Sequence, residues 1–429
     1  MTPDASGRVG RIRAVTGTTV QSDLSYTYSR MVGATPTDGA LTRSRTDNTA
    51  TGVAGLTTTY GYDSLSRLSS ATERSSAGAI TADWAYGYDP AGNRTSATLS
   101  PQGTGATTAF THNDANQILT RAGAGGFAYD ANGNETAAVG VTTRTSGTWN
   151  AKQQLTGVTA AGTAVPFTYT GEGNQSRLTV AGTSLRNTAL GVTAQTTSGA
   201  TTTFVRDPGG TLIATRTGTT SNYYLFDGLG SVVGLVDTLG TKTASYSYDP
   251  YGQSRTASGT VTNPYRYTGG YLDITTGLTK LGIRYYDPTL GRFTQTDPAG
   301  QDPHYSYAGN SPSSFLDPSG ASLVSAIRAR LQLSYSACVG ICGGVTIQSG
   351  NIYISTGGSG LQAPGVSIGL SERSLTRQSA CVKFSSFSTG FGAYQQRDDN
   401  GDGSYVVGVS ARGLPGLGSG RTCSRRAVG

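Results

Sequence analysis

The chain has 429 residues, of which 13% are charged and 62 are glycine, and its formal net charge is +7. So little charge excludes a disordered, self-repelling chain. The sequence also lacks the combined richness in alanine, leucine, glutamate and lysine that is typical of helical proteins. Threonine, tyrosine, valine and glycine favour short strands and tight turns, so we predict an all-β protein.

A short phrase recurs through residues 1–264. It begins with two aromatic residues at alternate positions and continues with Asp, a few small residues and a Gly-Asn, Gly-Arg or related pair. A run rich in Thr, Val and Leu follows. Clear copies lie at residues 60–68, 86–94, 127–135 and 246–252. Repetition of this kind indicates one structural unit that is used many times.

Each part of the phrase has a structural meaning. Alternate aromatic residues place two rings on one face of a strand. Asp begins a turn by accepting backbone N–H groups, Gly takes the positive-φ position, and the following run forms the return strand. One copy therefore predicts a β-hairpin. Because a single hairpin cannot bury its apolar face, neighbouring copies should stack into a curled sheet or partial shell. We interpret the recurring aspartates as turn residues.

Residues 265–320, which we name the boundary passage, follow the repeats. They contain two Asp-Pro-x-Gly tetrads, which begin at Asp297 and Asp317, and Arg292 lies in a Gly-Arg-Phe step ahead of the first. Two buried carboxyl groups brought close cannot both stay ionised, so one can activate water while the other polarises a carbonyl. A guanidinium such as that of Arg292 would stabilise developing negative charge. The alternative is that both tetrads are only turns.

The tail, residues 321–429, has a different composition. Ten basic and four acidic residues lie there, so the tail holds most of the net charge. A basic domain of this kind either contacts nucleic acid or another anionic surface, or has no polyanion partner. Residues 321–330 have the apolar spacing of a short helix, and strand-like pieces separated by glycine turns follow. We predict a small antiparallel β domain, either a barrel or a sandwich.

All four cysteines of the chain lie in the tail. An even number of cysteines in a short segment predicts two disulfides in an oxidising compartment, with three alternative connectivities. A zinc site is the competing interpretation, but the tail has no histidine and no Cys-x-x-Cys pair. We therefore expect no metal site and no cofactor. The disulfide candidates are Cys338, Cys342, Cys381 and Cys423.

The repeated phrase resembles the YD repeat of Rhs proteins, which are relatives of the C components of insecticidal toxin complexes and of teneurins. The boundary passage resembles the Rhs repeat-associated core, and together the two resemblances cover residues 4–320. They imply a hollow β-shell that encloses a C-terminal polypeptide. They also imply self-cleavage near Ala321-Ser322, with Asp297 and Asp317 as the acid/base pair and Arg292 in support. Many relatives have Leu where this chain has Ala321.

The resulting interpretation has three segments: a YD-repeat array at 1–264, the boundary passage at 265–320 and a variable β domain at 321–429. The expected function is delivery of a C-terminal effector against competing cells, with an immunity protein as partner. The alternative is a secreted or cell-surface binding module with a carbohydrate or cell-surface ligand and a disulfide-linked tail; a third is an inactive fragment. No apolar stretch approaches the ~20 residues of a membrane span. The first residues also lack a signal-peptide core, so we expect part of a longer exported protein.

Overall fold

A computed structural model describes two compact units, Met1–Ile327 and Arg328–Gly429. The division lies seven residues beyond the predicted end of the boundary passage, and the repeats and that passage share the first unit. The residues outside the described structure are 33–34, 50–54, 102–104, 141, 171–175, 299–304, 322–323, 326–330, 340, 349–350, 358–364, 371–380, 387–390, 398–402, 410–417 and 427–429.

The first unit begins with a ten-stranded antiparallel sheet in which each strand pairs with the next along the chain. This order is expected when consecutive hairpins stack side by side. The strands are β1 (Thr2–Pro3), β2 (Val9–Thr16), β3 (Thr19–Val32), β4 (Thr35–Asp47), β5 (Leu56–Tyr62), β6 (Leu68–Arg74), β7 (Ile80–Tyr88), β8 (Arg94–Pro101), β9 (Ala106–His112) and β10 (Ile118–Arg121).

A two-stranded ribbon separates this sheet from a second meander of twelve strands. The ribbon is formed by β11 (Ala128–Tyr129) and β12 (Glu135–Ala137). The second sheet consists of β13 (Arg144–Trp149), β14 (Leu155–Ala160), β15 (Thr163–Tyr169), β16 (Arg177–Val180), β17 (Thr183–Thr188), β18 (Gly191–Thr197), β19 (Ala200–Arg206), β20 (Leu212–Thr217), β21 (Thr220–Phe226), β22 (Val232–Asp237), β23 (Lys242–Tyr248) and β24 (Ser254–Gly259).

The boundary passage contains a four-stranded sheet and one strand of a two-stranded sheet. Two short 3-10 turns, Tyr267–Gly269 and Ala308–Asn310, interrupt it. Its strands are β25 (Tyr271–Asp273), β26 (Leu278–Leu281), β27 (Arg284–Asp287), β28 (Arg292–Phe293) and β29 (Phe315–Leu316), and β29 pairs with β30 (Val324–Ser325) just beyond the passage.

The repeated Asp turns have the predicted chemistry. At Asp63, one carboxylate oxygen accepts the N–H groups of Leu65 at 3.0 Å and Arg67 at 2.9 Å, and Ser66 follows with φ of 63°. The backbone N–H of Asp63 donates to the carbonyl of Arg67 at 2.9 Å, which closes the turn. Turns with the same backbone bonds begin at Asp4, Asp89, Asn113, Asp130, Asn150, Asp207, Asp227, Asp237 and Asp249.

The two faces of the sheets differ. The buried face carries the alternating aromatic residues, and these rings pack edge-to-face against rings of the boundary passage, as Phe167 does with Tyr285 and Phe204 with Tyr265. The boundary passage therefore fills the space beside the sheets and supplies much of the core. The outer face is rich in threonine pairs across neighbouring strands, such as Thr98 with Thr107 at 2.8 Å.

The second unit is a closed antiparallel barrel of eight strands, ordered β31-β32-β33-β38-β35-β36-β37-β34. Antiparallel β structure was predicted for the tail, and the all-β class holds for both units. The strands are β31 (Leu331–Val339), β32 (Ile341–Gln348), β33 (Asn351–Gly357), β34 (Gly365–Leu370), β35 (Cys381–Ser386), β36 (Phe391–Arg397), β37 (Gly403–Val409) and β38 (Gly418–Arg426).

The helix expected at residues 321–330 is not found where the structure describes that stretch. Val324 pairs with Leu316, and Ser325 with Phe315, in an antiparallel ladder. Pairing with β29 stabilises the extended conformation of these two residues. The weak amphipathic pattern does not stabilise a helix enough to compete with that pairing. Within the described part of the chain, no helix has the length and apolarity to cross a membrane.

Candidate functional site

Asp297 and Asp317 lie on either side of one arginine, Arg284. The Arg284 Nη2 atom is 2.9 Å from Asp317 Oδ2 and 3.5 Å from Asp297 Oδ2. All three residues are buried; Asp317 is 3% exposed and Arg284 is 2% exposed. The fold thus brings together two carboxyl groups that are twenty residues apart in sequence, with a guanidinium between them.

Arg284 is held by the small sheet of the boundary passage. It is the first residue of β27 and pairs with Leu281, the last residue of β26, so it stands at the base of a tight hairpin. The ring of Phe293 lies beneath the guanidinium, with 3.6 Å between the guanidinium carbon and the ring centre. Burial lowers the pKa of Arg284 from its ordinary value, while the charges of Asp297 and Asp317 oppose that shift.

The segment after Asp317 folds back onto its carboxylate. Asp317 Oδ1 accepts the hydroxyl of Ser319 at 3.0 Å and the backbone N–H of Ala321 at 3.2 Å. The carbonyl of Ser319 accepts the backbone N–H of Ile283 at 2.9 Å. Ala321, at which cleavage was predicted, is therefore hydrogen-bonded to Asp317, and its segment is hydrogen-bonded to the hairpin that carries Arg284.

Two glycines make this close approach feasible. A Cβ atom at Gly282 would lie 1.9 Å from the carbonyl oxygen of Ser319, and one at Gly320 would lie 2.5 Å from the carbonyl oxygen of Leu281. Gly320 also has φ of 66°, which disfavours other residue types. The Gly of the second tetrad is therefore required both for its own turn and for contact with the β26–β27 hairpin.

The second tetrad lies in the connection of a hairpin. Strands β29 and β30 pair on either side of residues 317–323, with Leu316 opposite Val324. The predicted cut at Ala321-Ser322 would therefore open a loop whose two ends are held by a very short ladder. Ser322 itself, and residues 299–304 of the first tetrad and its surroundings, lie outside the described residues.

Arg292 lies elsewhere. Its Nη2 atom donates to the carbonyl of Asn116 at 2.7 Å, and its guanidinium carbon is 4.3 Å from the centre of the Tyr305 ring. Burial lowers the pKa of Arg292 from its ordinary value. The guanidinium that contacts the two aspartates is that of Arg284, which the sequence reasoning did not select. The available signal was a charged residue inside the otherwise apolar and aromatic run of residues 281–286.

The cysteines of the tail occupy paired register positions. The barrel places Cys338 opposite Cys342 in β31 and β32, and Cys381 opposite Cys423 in β35 and β38. Residues directly opposite in antiparallel strands have Cα atoms about 4.5–5.5 Å apart, which is within the range that a disulfide spans. The register concerns the backbone alone, so both the disulfides and their connectivity stay predictions.

The arrangement around Arg284 suits a reaction in which negative charge develops. A buried carboxylate can accept a proton from water, and a fixed guanidinium stabilises an oxyanion without reorganising. The same groups can also serve only as a buried ion cluster, because the Arg284 Nη2 atom lies within 4 Å of both carboxylates and compensates their charge. An experiment is therefore needed to distinguish a catalytic role of Arg284, Asp297 and Asp317 from a purely structural one.

Comparison with known proteins gives a consistent result for the first unit. The family model Teneurin YD-shell matches residues 40–307. The tRNA3(Ser)-specific nuclease WapA of Bacillus spizizenii is 31% identical over 242 residues, which are 52% of this chain and 10% of the nuclease. Salivary gland surface protein 1 of Aedes aegypti is 45% identical over 108 residues, which are 23% of this chain and 3% of that protein.

Among solved structures, the crystal structure of TcdB2-TccC3 matches with a TM-score of 0.56 at 21% identity, and the match covers 72% of this chain and 18% of that one. The Photorhabdus luminescens Tc holotoxin pore matches with a TM-score of 0.54 at 22% identity over 70% of this chain and 17% of that one. At such identities the likeness concerns the fold alone. The chain spans about a tenth of the length of the WapA relative. Because the family model matches more than half of the chain, the chain belongs to the Teneurin YD-shell family.

Proposed function

We propose that this chain belongs to a toxin-like YD-repeat protein that cuts its own backbone near Ala321-Ser322 and so frees the domain after the cut as an effector. One observation carries the proposal: Arg284 lies between Asp297 and Asp317, and Asp317 accepts the N–H of Ala321. The toxin-like part of the proposal is supported by the similarity in fold to toxin-complex structures and in sequence to the WapA nuclease.

The proposed reaction is hydrolysis of one peptide bond. One aspartate, in its ionised form, takes a proton from a water molecule as the water oxygen attacks the carbonyl carbon. The other, in its protonated form, polarises the carbonyl oxygen, and Arg284 stabilises the negative charge that develops. When the C–N bond breaks, the new amine receives a proton and the carbonyl becomes a carboxylate. Arg284 takes the supporting role that the sequence suggested for Arg292.

The intact mass of the purified full chain under denaturing conditions tests cleavage. The uncut chain has a mass of 44.0 kDa, and the proposal predicts two fragments that meet near Ala321-Ser322. Asp297→Asn, Asp317→Asn and Arg284→Gln should each leave the chain whole. Asp207→Asn is the matched control, since it makes the same change at a turn of the array and should leave cleavage intact.

Two outcomes contradict self-cleavage. The first is a single species at the full mass, observed for a wild-type chain that circular dichroism shows to be folded. It would contradict self-cleavage and indicate that the two tetrads are only turns. A cut that persists in the Asp297→Asn and Asp317→Asn variants assigns the cleavage to another protease.

The effector role belongs to the C-terminal domain. Expression of the tail with a secretion signal, and separately without one, tests whether it inhibits growth. An immunity protein encoded beside it should protect the cell. Its excess of basic residues makes nucleic acid one candidate target, so degradation of tRNA in the inhibited cells is the first readout. Harmless expression in both compartments would favour the secreted or cell-surface binding module.

We propose that the tail is oxidised, with disulfides Cys338–Cys342 and Cys381–Cys423, as expected for a secreted or surface-exposed protein. The register of the barrel supports these two pairs. Digestion without reductant followed by mass spectrometry should find both linked peptides. Free thiols in protein purified from an oxidising compartment, or any other connectivity, would contradict the proposal.

A further inference from the structure

A small cavity lies between strands β8 to β10 of the first sheet and the boundary passage. Arg94, Phe110, His112 and Ile118 line it from the sheet, and Arg292 lines it from the passage. Its volume is about 20 Å³, slightly more than the ~10–15 Å³ that one water molecule needs. The space therefore suits one water molecule or one ion of similar size. The three residues proposed for self-cleavage do not line it.

The charge around this cavity is positive and lacks a counter-ion. Among the described residues that line it, Arg94 and Arg292 are cationic and none is acidic. No carboxylate oxygen of the described residues lies within 4 Å of either guanidinium. Glu135, whose charge acts on Arg292, is paired with Arg144 at 2.9 Å. Because a buried charge without a partner is costly, this lining indicates an anion.

Arg292 has donors that no described residue uses. It is 8% exposed, and only its Nη2 atom forms a hydrogen bond, to the carbonyl of Asn116 at 2.7 Å. Its Nε and Nη1 atoms are not enclosed by protein, in contrast to the Nε atom of Arg94. The Tyr305 ring beside the guanidinium offers a π face but no lone pair in that direction. Two donors of a buried arginine are therefore accessible to an ion in the cavity.

Arg94 supplies the second positive charge. Its guanidinium carbon is 4.7 Å from the centre of the Tyr251 ring, and its one hydrogen bond within the described structure is a long one, 3.4 Å to the carbonyl of Thr289. A Cβ atom at Gly291 would lie 2.5 Å from Arg94 Nη1. The glycine ahead of Arg292 therefore leaves room for the second guanidinium, and the Gly-Arg step brings two arginines to one cavity.

We propose that this cavity binds one chloride ion, held by Arg94 and Arg292. The two guanidinium groups supply positive charge and N–H donors, which form their strongest hydrogen bonds with anions. The volume admits a monatomic anion and is too small for an oxyanion such as sulfate. The bound ion would connect β8 with the boundary passage. The site is independent of self-cleavage and remains if that proposal fails.

The chlorine-35 resonance of chloride reports binding directly, because exchange with a protein site broadens the line. For the wild-type full chain, cleaved or intact, the excess line width should saturate with a Kd on the order of 10 mM, which is a weak affinity. Bromide should displace the chloride. Sulfate at the same ionic strength should leave the broadening unchanged, because it does not fit the cavity.

Variants locate the bound ion. Arg292→Gln removes one charge and its N–H donors and should abolish the saturable broadening. Arg216→Gln is the matched control, since Arg216 is exposed on the second sheet, and it should bind chloride as the wild type does. Thermal unfolding in gluconate buffer checks that each variant is folded. Should Arg292→Gln not fold, Arg94→Gln provides the same test.

His112 gives a second readout from inside the cavity. Burial and the charges of Arg292 and Arg94 lower the pKa of His112 to about 4, although Asp89 opposes the shift. A chloride ion offsets the charges of the two arginines, so this pKa should rise toward its ordinary value of about 6.5 as chloride replaces gluconate. NMR of the histidine ring protons measures it, and His112→Gln assigns the resonance. An unchanged pKa would contradict occupancy by chloride.

Three further results overturn the proposal. The first is the lack of saturable broadening in the wild type, which would indicate that only water occupies the cavity. The second is broadening that persists in the folded Arg292→Gln variant or, where that variant does not fold, in Arg94→Gln. The third is displacement by sulfate as effective as that by bromide, which would assign the chloride to the protein surface.

Discussion

Aspartate has different partners in the array and in the boundary passage. At the array turns its carboxylate accepts backbone N–H groups within four residues, as Asp63 does with Leu65 and Arg67. In the boundary passage it faces a buried arginine from a distant strand, as Asp273 does with Arg177 at 2.6 Å. Asp89 and Asp317 both begin an Asp-x-x-Gly motif, so the motif alone does not distinguish a turn aspartate from one in a buried ion pair. The position of the nearest guanidinium does.

The difference has an energetic consequence. A turn aspartate supplies a few local hydrogen bonds, each worth about 1 kcal/mol net. A buried carboxylate paired with arginine contributes little net stability as a pair, but removing one partner leaves an uncompensated charge. The array should therefore tolerate changes at its aspartates, whereas the boundary passage should not.

The largest effect is expected at the Asp273–Arg177 pair. Asp273→Asn leaves Arg177 buried without its counter-charge and should lower the free energy of unfolding of the first unit by about 3–5 kcal/mol. The double variant Arg177→Met with Asp273→Leu removes both charges and should recover most of the loss. Urea unfolding followed by tryptophan fluorescence measures both values. Equal loss in the single and double variants would show that the residues pack rather than pair.

A smaller effect is expected at the turn of Asp63. Asp63→Ala removes two backbone hydrogen bonds and the contact with Arg67, so unfolding should become easier by about 1–2 kcal/mol. Asp63→Asn should change stability by less than about 0.5 kcal/mol, because Asn113 and Asn150 already form the same turn in this chain. A large loss in Asp63→Asn would show that the turns require charge.

The turns were predictable because their chemistry is local. Asp, Gly and the aromatic step lie within one short phrase, so the sequence located the hairpins and the buried face. Arg284 was not predicted as the partner of Asp297 and Asp317, because the three residues are far apart in sequence and only the tertiary fold brings them together. The helix predicted at residues 321–330 was wrong at Val324, because Val324 pairs with Leu316 in a short hairpin that the apolar spacing did not indicate.

The stability of the first unit should depend on pH through Asp249, an aspartate of the array whose carboxyl group is desolvated by burial. Burial raises the pKa of Asp249 to about 6, above its value in the unfolded chain. The folded state then holds the proton more tightly between pH 4 and 6, so this group's contribution to stability falls as pH rises through that window. Asp249→Asn keeps the turn and removes the titration. The wild type should therefore lose more thermal stability than Asp249→Asn between pH 4 and 7, and parallel profiles would contradict the burial.

The smallest effect is expected on the outer face, where neither aspartate nor arginine is involved. Thr98 and Thr107 share a hydroxyl hydrogen bond of 2.8 Å across β8 and β9, and both are exposed to solvent. Such cross-strand pairs are worth about 0.2–1 kcal/mol. A double-mutant cycle with Thr98→Val and Thr107→Val isolates the pair, because valine keeps the branched shape and strand preference. A coupling near zero would mean that the outer threonines are present for strand propensity alone. A coupling repeated at Thr168 and Thr179 would show that the array is stabilised by many small outer contacts, in contrast to the few large ones of the boundary passage.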